Sequence, residues 1–169
     1  MKKILCVEKT PRSRDACDKE RLAQFLNQTQ QRIKRALKSD FSLEFENDFG
    51  YWVVHRLNQG FDGLLTHFPY DSSVLRSLNF EGMDGDKINR AIYANSIKAM
   101  QAIRHQLPSI PIVVYSGAST GVTTSPQTLA LNKLITEAGA NRIVYRHDDL
   151  RADAKEIHKH FTELFPQLL

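Results

Sequence analysis

The chain has 169 residues, 41% of them hydrophobic and 25% charged, and a formal net charge of +4. That composition supports a buried core and excludes a disordered chain, collagen and a coiled coil. No apolar run approaches the roughly 20 residues of a membrane span, and two cysteines, Cys6 and Cys17, make neither a disulfide framework nor a zinc site. Lys2–Val7 (KKILCV) reads as a buried strand, and the few apolar residues between Lys3 and Glu8 are too short for a signal peptide. Thr10 then offers an N-cap and Pro11 a first helical position, because threonine accepts an orphan amide bond and proline has none to lose. The spacing predicts a long helix from there to about Leu37, with Leu22, Phe25, Leu26, Thr29, Ile33, Ala36 and Leu37 on one face. Ser42–Glu46 alternates as a short strand, 50–57 suits a short helix stopped by Gly60, and Phe61–His67 reads as a third strand.

Residues 69–85 are irregular, and Asp86–Leu107 is a second long helical pattern carrying Ile88, Ile92, Ile97 and Met100. Ile110–Tyr115 (IPIVVY) is the clearest strand, followed by a Gly/Ser/Thr loop over 116–125. Pro126–Ala138 is helical with Gly139 as its stop, Asn141–Tyr145 is a fifth strand, and Asp149–Leu164 a last helix. Apolar strands alternating with helices imply a parallel sheet covered on both faces. The expected fold is therefore α/β: a three-layer, doubly wound, five-stranded parallel sheet, flavodoxin-like, order 2-1-3-4-5, in a single domain over 1–169.

In such sheets ligands bind beyond the carboxyl ends of the strands, near the point where strand order reverses. The positions that mark this edge are Glu8-Lys9, Thr66-His67, Ser116-Gly117 and Arg146-His147, with Asn47 peripheral. The strand pattern, the serine ending Pro-Ile-Val-Val-Tyr-Ser-Gly (111–117) and the run Ala-Gly-Ala-Asn-Arg-Ile-Val-Tyr-Arg (138–146) resemble a response-regulator receiver domain. The resemblance covers nearly the whole chain as a pattern and is most specific in the last sixty residues. It implies an acidic pair after strand one, a phospho-accepting Asp ending strand three, a Ser/Thr ending strand four and a Lys ending strand five.

The departures are concentrated at that site. Glu8 fits the first acidic position, but Lys9 stands where the second carboxylate belongs. Phosphoryl transfer needs a divalent cation, and magnesium wants carboxylate oxygens, so an ammonium there weakens or fills the metal site. Thr66 or His67 falls at the acceptor position, and neither forms an aspartyl phosphate. Arg146 replaces the strand-five lysine, a planar fork in place of a point charge; His147 replaces the usual proline, and Ile143 stands where the family commonly has an aromatic switch residue. Ser116 alone is retained. The set Glu8, Lys9, Thr66, His67, Ser116 and Arg146 thus resembles a degenerate receiver site, a pseudo-receiver. Gly82-Met83-Asp84-Gly85 resembles the family's Met-Asp-Gly but sits too far downstream of His67 to weigh much.

Each candidate has a plainer reading. His67 suits a polar strand end, Glu8 with Lys9 a solvated ion pair, and Ser116–Gly121 a polar turn, since no phosphate-binding glycine motif is present. Asp148 and Asp149 suit helix capping. Cys6 and Trp52 read as core, and His158 and His160, two apart on a helix, do not form a metal pair. The charge also has a location. Residues 1–40 hold eleven Lys/Arg against five Asp/Glu, a local +6; residues 41–169 hold twelve against fourteen, a local −2. The excess sits on a first helix longer than the receiver pattern, where Arg21, Gln24, Gln28, Gln31, Arg35 and Lys38 form a polar stripe. A solvated face is the simple reading, a docking or dimerisation surface the functional one, and nucleic acid the least favoured partner because no aromatic side chain interleaves the basic ones.

Function is expected to be a cytoplasmic, receiver-like regulatory module without the acceptor Asp, not an enzyme, acting on a separate protein partner or as a homo-oligomer, with no cofactor, metal or membrane contact. The other reading is a small-anion or nucleotide site, binding or enzymatic, on the same edge, through Lys9, Ser116, Gly117 and Arg146, with His67 as acid or base.

Overall fold

A computed structural model of the chain describes residues 1–8, 24, 27, 28, 30–35, 37, 40–47, 52–68, 97–119, 126–146 and 150–165. Within them run β1 (Lys2–Glu8), α1 (helical at 24, 27, 28, 30–35 and 37), β2 (Phe41–Asn47), α2 (Trp52–Leu57), β3 (Gly63–Phe68), α3 (helical at 97–106), β4 (Ile112–Ser119), α4 (Pro126–Glu137), β5 (Arg142–Arg146) and α5 (Leu150–Leu164). The strands form one parallel sheet in the order β2-β1-β3-β4-β5. The expected cap at Thr10-Pro11, the stretch 69–85 and the first part of the helix from Asp86 lie outside the described residues.

Strand alternation sorts the core into two layers. Leu5 and Val7 pack with Leu64, Ile112 and Val114 against Val53 and Leu57 of α2, Met100 and Ile103 of α3, and Ile135 of α4. Ile4 and Cys6 pack with Leu65, Val113 and Val144 against Ile33 and Leu37 of α1, Ile157 and Phe161 of α5, and Phe165 just after it. Each fully buried aliphatic or aromatic side chain contributes about 1.5–3 kcal/mol, so the two layers supply most of the driving force. Gly63 permits the second layer to close: a Cβ there would lie 2.9 Å from Ile4 Cδ1 and 3.2 Å from the Phe161 ring.

The amino edge of the sheet is pinned by polar contacts. The Asp62 amide donates to the Lys3 carbonyl at 2.7 Å, and its carboxylate accepts the Lys3 amide at 2.8 Å and the Lys2 ammonium at 2.9 Å. These bonds set the register in which Ile4 pairs with Gly63. Glu44 bridges Lys3 at 2.6 Å and Arg56 at 3.1 Å, and Arg56 also reaches Glu46 at 3.0 Å. Lys3 and Arg56 both lie over the Phe61 ring.

A second polar lock joins α3 to the end of α4. Gly139 adopts φ +123°; its amide donates to Thr136 O and the Ala140 amide to Ile135 O, the bond pair of a Schellman motif. The carbonyl of Gly139 accepts Arg104 Nη2 at 2.5 Å, and the same guanidinium donates to the Pro108 and Ile110 carbonyls and to Asn141 Oδ1. Asn141 Oδ1 in turn accepts the Ile112 amide at 2.8 Å. One side chain thereby ties the loops entering β4 and β5.

The elements fall where the sequence places them, with one informative difference. Strand β4 continues through Ser119, into residues expected to be loop, because its neighbours supply ladder partners there: Phe68 on β3 pairs with Ser116, and Ser116 with Tyr145 on β5.

Two measurements test these locks. Arg104→Ala removes several charge-assisted bonds at once and is expected to lower unfolding stability by about 2 kcal/mol in urea titration. For Asp62, burial pushes the carboxyl up, but the hydrogen bonds from the Lys3 amide and Lys2 outweigh it and hold the group below its ordinary value. A depressed native pKa contributes stability above the unfolded value of about 3.9 and loses it as pH falls through the native one. The stability gap between wild type and Asp62→Asn is therefore expected to be full at neutral pH and to close in the acid range below about pH 4.

Candidate functional site

The order reversal of the sheet lies between β1 and β3, so the carboxyl ends of these strands and of β4 and β5 define the crevice where ligands bind in such folds. Glu8 closes β1 and pairs with Asn47, while Val7 pairs with Thr66. His67 is the penultimate residue of β3 and pairs with Tyr115; Phe68 pairs with Ser116. Ser116 pairs with Tyr145, and Arg146 closes β5 opposite Ser119. The backbone thus brings Glu8, Thr66, His67, Ser116 and Arg146 to one edge, in adjacent strands. Lys9 and His147 lie outside the described residues.

The β4–β5 ladder is irregular at this edge. Pairing passes from Ser116–Tyr145 directly to Ser119–Arg146, leaving Gly117 and Ala118 out of register. Bulges of this kind re-aim strands and end pairing, and they recur beside functional sites. The glycine expected to help hold an anion is one of the two residues displaced.

The described side chains at this end of the sheet carry hydroxyls. Thr66 is completely buried, and its Oγ1 has no hydrogen-bond partner among the described residues. Strand β3 reads Gly-Leu-Leu-Thr-His-Phe and contains no carboxylate. Tyr115 is buried on β4 and donates to Asp153 Oδ2 at 2.6 Å. Asp153 stands in the first turn of α5, 1% exposed. On β5, the Tyr145 hydroxyl accepts a bond from Asn132 Nδ2 of α4. Burial pushes the Tyr145 phenol up, opposed by that bond, so it is a neutral hydroxyl at ordinary pH. Ile143, next to it on β5, packs against the first core layer.

Sequence reasoning placed the edge residues and missed the Tyr115–Asp153 pair. A signal was present: Asp153, Ile157 and Phe161 recur every four residues, which puts an acid on the apolar stripe of α5, and a buried acid requires a partner. His158 and His160 are engaged separately. His158 Nε2 lies 2.6 Å from Asp40 Oδ2, and His160 lies between Glu156 and Glu163. Among the described residues, no three His, Cys, Asp or Glu side chains are grouped to hold a metal ion, and no helix is long and apolar enough to cross a membrane.

No family model matches the sequence, and no curated protein matches it. Solved structures do. A CheY-like response regulator receiver domain protein from Methanospirillum hungatei JF-1 matches with a TM-score of 0.56 at 12% identity, covering 99% of this chain and 98% of that chain. HP1043, an orphan response regulator of H. pylori, matches with a TM-score of 0.50 at 11% identity, covering 92% of this chain and 95% of that one. The fold is that of CheY-like receivers.

The two buried hydroxyls predict opposite outcomes. Thr66→Val replaces an unpartnered polar atom by a methyl of similar volume, so stability is expected to be unchanged or to rise by up to about 1 kcal/mol. Tyr115→Phe removes a donor from a buried carboxylate and is expected to cost about 1–3 kcal/mol. Paired thermal and urea denaturation of the two variants checks both.

Proposed function

We propose that the chain is a receiver-like regulatory module that works by protein–protein contact without aspartyl phosphorylation. The observation that carries this reading is the composition of the carboxyl edge. A receiver-type acceptor needs an Asp at the end of β3, and the residues there are Thr66, His67 and Phe68. Charge development on a transferring phosphoryl group needs a divalent cation held by carboxylates. Only Glu8 supplies one at the end of β1, and Lys9 follows it.

The described contacts fit a module that does not switch by phosphorylation. Among the described residues, two hydroxyls at this edge are committed to neighbouring helices: Tyr115 to Asp153 and Tyr145 to the Asn132 amide. Each couples a strand end to the helix packed on it, α5 on one side and α4 on the other. Information is then carried by which surface the fixed fold presents. The partner is a separate protein or a second copy of the chain.

A second reading rests on the break in the β4–β5 ladder. Displacing Gly117 and Ala118 from register releases backbone amides of the kind that cradle anions. Lys9, Ser116, Gly117 and Arg146 would then hold a small phosphorylated ligand or nucleotide, with His67 as an acid or base. Thermal-shift screening with nucleotides and phosphorylated metabolites distinguishes the readings: a specific shift abolished by Arg146→Ala favours the ligand site.

Incubation with acetyl phosphate and magnesium, followed by intact-mass measurement, tests the main reading. The expected result is an unchanged mass under conditions that phosphorylate a receiver with an intact acidic site. A stable aspartyl adduct overturns it.

A further inference from the structure

Residues 1–40 carry the charge excess, and the described part of α1 shows how some of that charge is displayed. Ile33 and Leu37 are buried against Phe41 and the aromatic side chains of α5, which fixes the rotation of α1. The opposite face is solvent-exposed at Gln24, Asn27, Gln28, Gln31, Arg32, Lys34 and Arg35. Gln28, Arg32 and Arg35 follow the spacing that stacks side chains along one helical stripe, and Lys34 flanks them.

None of these three cations has an ion-pair partner among the described residues. Their situation differs from that of the neighbouring charges. Glu44 and Glu46 are taken by Lys3 and Arg56, Asp62 by Lys2, and Asp40 by His158. These described acids on the adjoining elements are thus engaged, and three positive charges within one helical turn have no counter-charge among the described residues.

We propose that the exposed face of α1 docks an acidic segment of a protein partner. This rests on the protein-contact reading above and names the chemistry of that partner. Guanidinium groups of Arg32 and Arg35 bind carboxylates as planar two-point donors. Gln28 and Gln31 supply amide hydrogen bonds between them, and Gln31 is already oriented by a bond to Asn27 Oδ1 at 3.3 Å. Nucleic acid fits less well. Proteins that bind a phosphate backbone neutralise about 6–10 charges along a track, whereas the described part of α1 shows three cations within one turn, preceded by Asn27, Gln28 and Gln31. A short cluster of Glu or Asp on a partner matches that footprint. Complementary charge of this kind acts chiefly on encounter rate and specificity.

Fluorescence anisotropy with a labelled oligoglutamate peptide tests the proposal on the full chain. Wild type is expected to bind at low ionic strength and to weaken as salt is raised. The triple substitution Arg32→Glu, Lys34→Glu, Arg35→Glu is expected to weaken binding by about tenfold or more. A double substitution of exposed cations elsewhere, Lys98→Glu with Lys155→Glu, is expected to leave it within about twofold. Circular dichroism establishes that the variants fold, and if the charge reversal does not, the neutral set Arg32→Gln, Lys34→Gln, Arg35→Gln takes its place with a smaller loss. No binding by wild type, or equal binding by the two sets of variants, overturns the proposal. A DNA duplex of matched charge that binds more tightly than the peptide, through the same three residues, overturns the choice of an acidic protein. An acetyl phosphate adduct overturns the earlier reading and leaves this binding result untouched.

Discussion

Ile4, Leu5, Cys6 and Val7 are each at most 1% exposed, and β1 is hydrogen-bonded along both edges, to β2 and to β3. A strand in that position has no side on which a polar group is tolerated, since burying one without a partner costs several kcal/mol. Every charge on β1 itself therefore sits at one of its two ends. Lys2 and Lys3 stand at the amino end and Glu8 at the carboxyl end. Much of the molecule's polar organisation follows from this single exclusion.

The two ends are used differently. At the amino edge the charges are matched: Lys2 with Asp62, Lys3 and Arg56 with Glu44, and Arg104 over three loop carbonyls. This edge holds register and closes loops. At the carboxyl edge the described side chains are hydroxyls, two of them directed to partners on α4 and α5 and one, Thr66, left without a partner among the described residues. Among the described residues, the break in ladder register also lies at this carboxyl end, the end where ligands bind in folds of this kind.

How much of this was legible depends on the range of the interaction. The strands were readable because a doubly covered strand is a continuous apolar run, as in Ile4–Val7 and Ile112–Tyr115. The stop at Gly139 was readable because a positive φ favours glycine locally. The sheet order was readable because five apolar strands alternating with helices suit a doubly wound parallel sheet. The extension of β4 through Ser119 was not, because Ser-Gly-Ala-Ser has loop composition and becomes strand through partners on β3 and β5. Nor was the Arg104 clamp, most of whose acceptors are backbone carbonyls, as far as 35 residues away, that leave no trace in side-chain identity. The complete burial of Thr66 was not legible, because it depends on the layer packed over it. The pairing of Asp153 with Tyr115 spans 38 residues; periodicity marks the acid and cannot name its partner.

Gly63 has a consequence beyond packing. Its missing side chain admits Phe161 of the last helix, and Phe165 just after it, directly onto Ile4 of the first strand. During synthesis β1 therefore emerges long before the residues that seal its second face. Its ladder partners on β2 and β3, and Ile33 and Leu37 of α1, follow first, but the layer over Ile4 and Cys6 is completed only by residues 157–165. A ribosome-bound chain would display a half-covered apolar sheet until those residues emerge, a nascent state of the kind that engages chaperones.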